Sequence, residues 1–260
     1  MMKRVCVVLG YVLLAGLASS VQAADWGNLT GTFLYDGVAP KPEPLVITKD
    51  QEVCGKHQDE IVDQSLLVGE KGGVSGVFIW LKVAGGKKVS IHPDFEKDIG
   101  KNPAVLDNFH CMFKPHTIGV WAQKQTFICK NSDPIAQVVK IDMIKNQSVN
   151  ATMAIGGQFE HKFPLAERLP SGVTCGIHPW ESGFVLVNDT PYFATTDLSG
   201  SFTIKNLPVG DWEFQVWQER VGYLAAKPEW KNGRFTFSIK KGDNSLGEIK
   251  LAPALLAKKK

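Results

Sequence analysis

The sequence offers its clearest chemistry in one short loop. In Cys175-Gly176-Ile177-His178-Pro179-Trp180 a thiol and an imidazole stand three positions apart, so both can turn inward from a tight connection between strands. Soft sulfur beside imidazole suits copper or zinc. An electron-transfer copper centre asks for more: two histidines and one cysteine in a trigonal plane, with a weak axial ligand. Hydrolytic and nucleotide chemistry lack their residues. There is no G-x-S-x-G elbow and no H-E-x-x-H, and Gly72-Gly73-Val74-Ser75-Gly76 lacks the lysine and helix of a phosphate-binding loop. A binding or redox protein is therefore expected rather than an enzyme.

The elements that must position this loop read as strands. Trp212, Phe214 and Val216 alternate with Glu213 and Gln215; Phe235, Phe237 and Ile239 alternate with Thr236 and Ser238. Val77-Phe78-Ile79-Trp80-Leu81 is a continuous apolar run of strand length, expected to be buried on both faces and to partner the opening strand near 29–37. Glycines (25) and prolines (14) cut the chain into short pieces, as an all-β sandwich requires. Thr196 to Ile204 followed by Leu207 to Phe214 reads as a hairpin, with Asp197 as a turn residue. Helical periodicity is confined to one expected turn at Pro164 to Leu169.

The first 23 residues have the layout of a secretion leader. Lys3 and Arg4 open it, an apolar run follows to Ala18, and Val21-Gln22-Ala23 supplies small residues at a cleavage point. An exported protein, periplasmic or secreted to the cell surface, is expected, with no membrane span after cleavage. The whole chain carries 29 Lys and Arg against 26 Asp and Glu. No dense basic stretch points to nucleic acid, and Lys258, Lys259 and Lys260 read as a solvated basic tail at 254–260. Four cysteines remain after the leader: Cys54, Cys111, Cys129 and Cys175. In an oxidising compartment they invite two disulfides with three connectivities. A metal site at Cys175 needs that sulfur free.

Beyond these features the sequence resembles the cupredoxins, and more closely exported cupredoxin-like proteins that carry a carboxypeptidase-regulatory-like sandwich. The resemblance rests on Asp36-Gly37 with Pro40 and Pro42, Cys54, Cys111-Met112-Phe113-Lys114-Pro115-His116, Asn131-Ser132-Asp133-Pro134, Glu167-Arg168-Leu169-Pro170, the Cys175 to Trp180 loop, and Thr196-Asp197 through Trp217. It implies a cupredoxin-like Greek-key sandwich at 89–189, inserted in or followed by a small regulatory-like (transthyretin/Ig-like) sandwich made of 24–88 and 190–253. The copper ligands it implies fall on Gln137, Cys175, His178 and Glu181. Two further histidine positions hold Thr190 and Gln218. Copper is the implied cofactor and a redox protein the implied partner.

With half the ligand histidines and methionine replaced, alternatives stay open. Glu181, Gln137 or His161 could complete a shell around Cys175 and His178. A carboxylate oxygen is a harder ligand than thioether and favours Cu(II) or Zn(II) over Cu(I). His161 alternates with Phe159 and Phe163, and the plainer reading is a core histidine. The resemblance also pairs Cys54 with Cys111, which leaves Cys129 free to bridge Cys175 and abolish the site. His57, His92 and His110 read as solvated loop histidines, and Asp59, Glu60 and Asp63 as a charged surface loop. The competing function is a metal-free cell-envelope module that contacts a glycan or protein through Trp180, Trp217 or Trp230.

Overall fold

Short alternating strands bury their apolar faces only by stacking sheets against one another, and the computed structural model does so twice. It describes residues 25–258 apart from 84 and 86. The leader expected at 1–23 and the last two lysines lie outside the described residues.

Along the chain come β1 (Trp26–Tyr35) and β2 (Phe78–Leu81), then β3 (Ala104–Asn108), β4 (Phe113–Lys114), β5 (Thr117–Trp121), β6 (Phe127–Asn131), β7 (Gln137–Ile141), β8 (Val149–Met153), β9 (Gln158–His161), β10 (Ser171–Cys175) and β11 (Ser182–Asn188). They are followed by β12 (Phe193–Thr195), β13 (Ser201–Pro208), β14 (Gly210–Gln218), β15 (Gly222–Tyr223), β16 (Arg234–Ile239) and β17 (Gly242–Leu251).

The first pair of sheets draws on both ends of the chain. β1 lies between antiparallel β13 and parallel β17. β2 lies between β12 and β14, and β14 also pairs with β15 and β16. Leu29 and Phe33 of β1, Ile79 of β2 and Phe214 of β14 meet in their common core. The intervening segment builds the second pair, one sheet ordered β4-β3-β6-β9 and the other β5-β11-β10-β7-β8. Leu106, Phe127, Val173 and Val185 fill the space between them.

β2 explains its own sequence. Ile79 and Leu81 enter the first core, while Phe78 and Trp80 join Leu186 and Trp217 in a separate cluster that ties the two halves together. Every residue of β2 is buried, because both faces of the strand are covered.

Several expectations are corrected. β1 and β2 do not pair; they sit on opposite sheets across one core. β13 and β14 are not a hairpin. At Gly210, with φ 134, the chain crosses from one sheet to the other, and Trp212 Nε1 donates to the Pro208 carbonyl at 2.7 Å. Residues 164–169 form no helical turn. Among the described residues the α-helices are two short ones, α1 (Gln51–Cys54) and α2 (Pro93–Asp98). Trp180, Trp217 and Trp230 are all buried and offer no contact face. Lys258 is not simply solvated, since its ammonium lies 2.7 Å from Asp63. Ahead of it Leu256 is buried against the first core.

Residues 36–63 join neither pair of sheets. They are fastened to the second core by the Cys54–Cys111 disulfide, Cα–Cα 5.6 Å, and by a small cluster of Ile47, Ile61, Met112 and Trp180. Among the described residues no helix is long and apolar enough to cross a membrane.

Candidate metal centre

β10 and β11 are antiparallel neighbours whose last paired residues are Thr174 and Ser182. The connection between them must turn within a few residues and does so around the Cys175 sulfur. The backbone N–H groups of Ile177 and His178 each lie 3.4 Å from Sγ. The Glu181 amide closes the loop by donating to the His178 carbonyl at 3.0 Å, and Cys175 N donates to Glu181 O at 3.2 Å. Gly176 is required by space: a Cβ there would stand 2.9 Å from the Val138 side chain.

Three side chains of this turn and one from a neighbouring strand meet at one point. Cys175 Sγ is 3.6 Å from His178 Nδ1 and 3.1 Å from Gln137 Oε1. His178 Nδ1 is 2.9 Å from Gln137 Oε1 and 3.1 Å from Glu181 Oε1. Gln137 comes from the first position of β7, which pairs with β10. All four side chains are buried. Gln137, Cys175, His178 and Glu181, picked out in the sequence, are thus brought together. His161 is not. It lies on β9 at the edge of the opposing sheet, half-buried with its ring against Phe163, and burial pushes its imidazole below the usual value.

An outer layer holds the cluster. Asn108 Nδ2 donates to Glu181 Oε2 at 2.6 Å. Gln137 Nε2 donates to Asp133 Oδ2 and to Glu181 Oε1, both at 3.1 Å. Asp133 is itself fixed by the Cys111 amide, and Trp180 Nε1 donates to the Cys111 carbonyl. His178 Nε2 faces Asp50 Oδ2 at 2.8 Å. Asp133 had a visible signal in the Asn-Ser-Asp-Pro turn. Nothing local to Asp50 or Asn108 marks them.

Both nitrogens of His178 face acceptors, the arrangement of an imidazolium. Burial opposes that charge. Hydrogen bonds with Cys175, Glu181 and Asp50 outweigh it and push the ring up to about 10. Burial likewise raises the Cys175 thiol, but the hydrogen bond with His178 prevails and the net direction is down. The pair is inclined toward thiolate and imidazolium.

The Cys129–Cys175 bridge is not formed; both thiols are free. Cys129 lies on β6 in the opposing sheet, and the Cys175 sulfur is engaged by its own loop and by Gln137. Thr190 and Gln218 lie apart from the cluster, Thr190 bonded to Asn188 and Gln218 donating to the Ser65 carbonyl.

Four separations among these donor atoms are 2.9–3.6 Å, and ligands about 2.0–2.3 Å from an ion at tetrahedral angles stand roughly 3.3–3.8 Å from one another. The sulfur–imidazole pair at 3.6 Å is already at that spacing, while the other three pairs stand at hydrogen-bond length and must open by a few tenths of an ångström to admit an ion. The donor set of one sulfur, one imidazole and two oxygens fits a divalent ion. It does not fit an electron-transfer copper centre, which needs a second imidazole that this cluster does not supply.

No known family profile matches the sequence, and no curated protein matches it. Among solved structures the chain has a distant, low-identity resemblance to cupredoxin-type β-sandwiches. A purple cupredoxin from Nitrosopumilus maritimus is 20% identical over 33% of this chain and 99% of its own, with a TM-score of 0.28. A mutant of amicyanin in the Cu(I) form is 17% identical over 33% and 82%, with a TM-score of 0.30. A copper-containing nitrite reductase from Thermus scotoductus is 17% identical over 41% of this chain and 25% of its own, at 0.31.

Proposed function

We propose that this is an exported, cupredoxin-like, non-enzymatic protein that holds a divalent transition-metal ion, Cu(II) or Zn(II), through Cys175, His178 and Glu181 with Gln137. The observation that carries the reading is the convergence of these four donor atoms in a buried pocket. A thiolate and an imidazole give affinity for both ions, while the carboxylate and amide oxygens favour Cu(II) over Cu(I). Holding or handing on copper therefore suits the site better than cycling one electron to a redox partner. Complete burial of His178, Glu181 and Gln137 leaves a substrate no approach, which supports a binding rather than an enzymatic role. The Cys54–Cys111 disulfide supports export to an oxidising compartment. We assign the two sheets built from both chain ends to the regulatory-like sandwich and the intervening sheets to the cupredoxin-like one.

The test is titration of the metal-free protein with Cu(II). Sulfur-to-copper charge transfer in the visible, abolished in Cys175→Ala, is the expected result. A colourless protein whose Cys175→Ala variant binds copper equally well removes the reading.

One observation favours a metal-free envelope module instead. Each of the four donor atoms already has a protein partner, so the cluster closes on itself without an ion. Absence of Cu(II) binding in that titration, and of Zn(II) binding in a parallel one, would favour this second reading over the first.

A further inference from the structure

The loop histidines are not simply solvated. His57 and His110 stack face to face, ring centroids 3.7 Å apart and 11° from parallel. Glu60 lies at their edge. His110 Nδ1 is 2.8 and 2.9 Å from its two oxygens, and His57 Nδ1 is 3.8 Å from the nearer one. We infer that His57, Glu60 and His110 form a second divalent-cation site, at the surface and separate from the buried cluster, that takes Zn(II) or Cu(II).

Two imidazoles and a carboxylate are borderline donors suited to both ions. Adjacent ligands about 2.1 Å from an ion stand roughly 3.0–3.4 Å apart, and the separations of 2.8 and 3.8 Å bracket that range. An ion draws on lone pairs in the ring planes, so binding turns the two rings out of parallel. His110 is held between His57 and Phe109, whose ring centroid lies 3.8 Å away, so the turn falls mainly on His57, which is 28% exposed. Their loops are not free to separate. His57 follows Cys54 by three residues and His110 directly precedes Cys111, so the disulfide clamps together the two segments that carry the ligands. Such prior positioning lowers the ordering cost of binding. Glu60 already gathers one cation, the Lys114 ammonium at 2.7 Å. Hydrogen bonds from Lys114 and His110 hold its carboxyl down at about 2. With three protein ligands, the fourth position of a tetrahedral ion would stay open to water or to a donor from another molecule.

The experiment uses the full chain with the buried cluster silenced by Cys175→Ser and His178→Gln, so that its outcome is independent of the function proposed above. Calorimetric titration with Zn(II) is expected to show one equivalent bound. His57→Ala, Glu60→Gln and His110→Ala should each weaken it by about tenfold or more, whereas Lys114→Ala, which removes the competing ammonium, should strengthen it. In the otherwise unaltered protein, Zn(II) should shift the ring-proton resonances of His57 and His110 together. Absence of binding by the silenced protein, or His57→Ala and His110→Ala variants that bind like their parent, overturns the inference. So does a titration in which neither ring responds.

Discussion

His178 Nε2 lies 2.8 Å from Asp50 Oδ2, joining a ring with no exposed surface to a carboxylate that is 41% exposed, 128 positions away in the chain. Asp50 reaches it from a left-handed backbone conformation, φ 48 and ψ 41, at the start of α1, a region that aspartate tolerates better than most residues. A partner on the outer nitrogen fixes the ring so that Nδ1 faces the cluster.

Loss of such an outer partner commonly weakens metal affinity by about 10–100-fold. Asp50→Ala is therefore expected to reduce Cu(II) or Zn(II) affinity within that range. Sulfur-to-copper charge transfer should persist, because Cys175 itself is unaltered. Competition against a chelator of known affinity, read beside the visible spectrum, checks both parts. An unchanged affinity would show that Asp50 does not orient the ligand.

The two free thiols should differ in reactivity. Burial and the nearby Asp107 carboxylate push Cys129 up to about 12, whereas the His178 hydrogen bond brings Cys175 below its ordinary value. In the folded, metal-free protein a small alkylating reagent should label Cys175 first. In denaturant two thiols should react in a chain that begins after residue 23, which mass spectrometry counts directly. A denatured chain with no reactive thiol would mean that Cys129 and Cys175 are bridged after all.

Asp63 links the chain end to residues 36–63. Burial raises its carboxyl, but hydrogen bonds from Lys258 and Ser65 prevail and hold it at about 2, below the ordinary 3.8. A depressed carboxyl binds its proton more readily in the unfolded chain. Its contribution is therefore whole above pH 3.8 and disappears as pH falls toward 2. Urea unfolding should show wild type more stable than Asp63→Asn by about 1 kcal/mol at neutral pH, after allowance for screening. The two should converge near pH 2; a constant gap across that window would contradict the assignment.

Glu167 has a structural role. Its buried carboxylate accepts the amides of Ile144, Lys145 and Asn146 and the side chain of Asn146, which draws the 144–146 turn onto the second core. Glu167→Ala leaves those donors to water or to nothing. It should cost roughly 3 kcal/mol in chemical denaturation, and Glu167→Gln less, since an amide oxygen still accepts. Metal binding should be unaffected.

How far the sequence reached depended on whether a feature was local. The apolar run at Val77 to Leu81 announced a strand covered on both faces, because burial of every side chain leaves no polar position. The spacing of Cys175 and His178 announced an inward-turned loop for the same local reason. Strand partners were not legible. Thr30 of β1 pairs with Thr203 and Ser245, and nothing within ten residues of Thr30 encodes either. The hairpin expected at 196–214 failed because alternation marks strands but not the sheet each one joins. Asp50, Asn108 and the His57–Glu60–His110 group were missed likewise. Each acquires its role only when the disulfide and the second core bring remote segments together.

The placement of β1 bears on how the chain must be made. That strand leaves the ribosome before every other strand described, yet both of its ladder neighbours, β13 and β17, follow the whole of the second pair of sheets. Until they appear it has only the short bridge of its last residues to Gly72, Gly73 and Val74, and most of its edge stays open to wrong company. The middle sheets, whose strands are close neighbours in sequence, can assemble meanwhile. A chain cut before residue 201, which lacks both β13 and β17, should then retain a folded centre with its opening strand unsatisfied, a state that a chaperone binding extended segments would recognise.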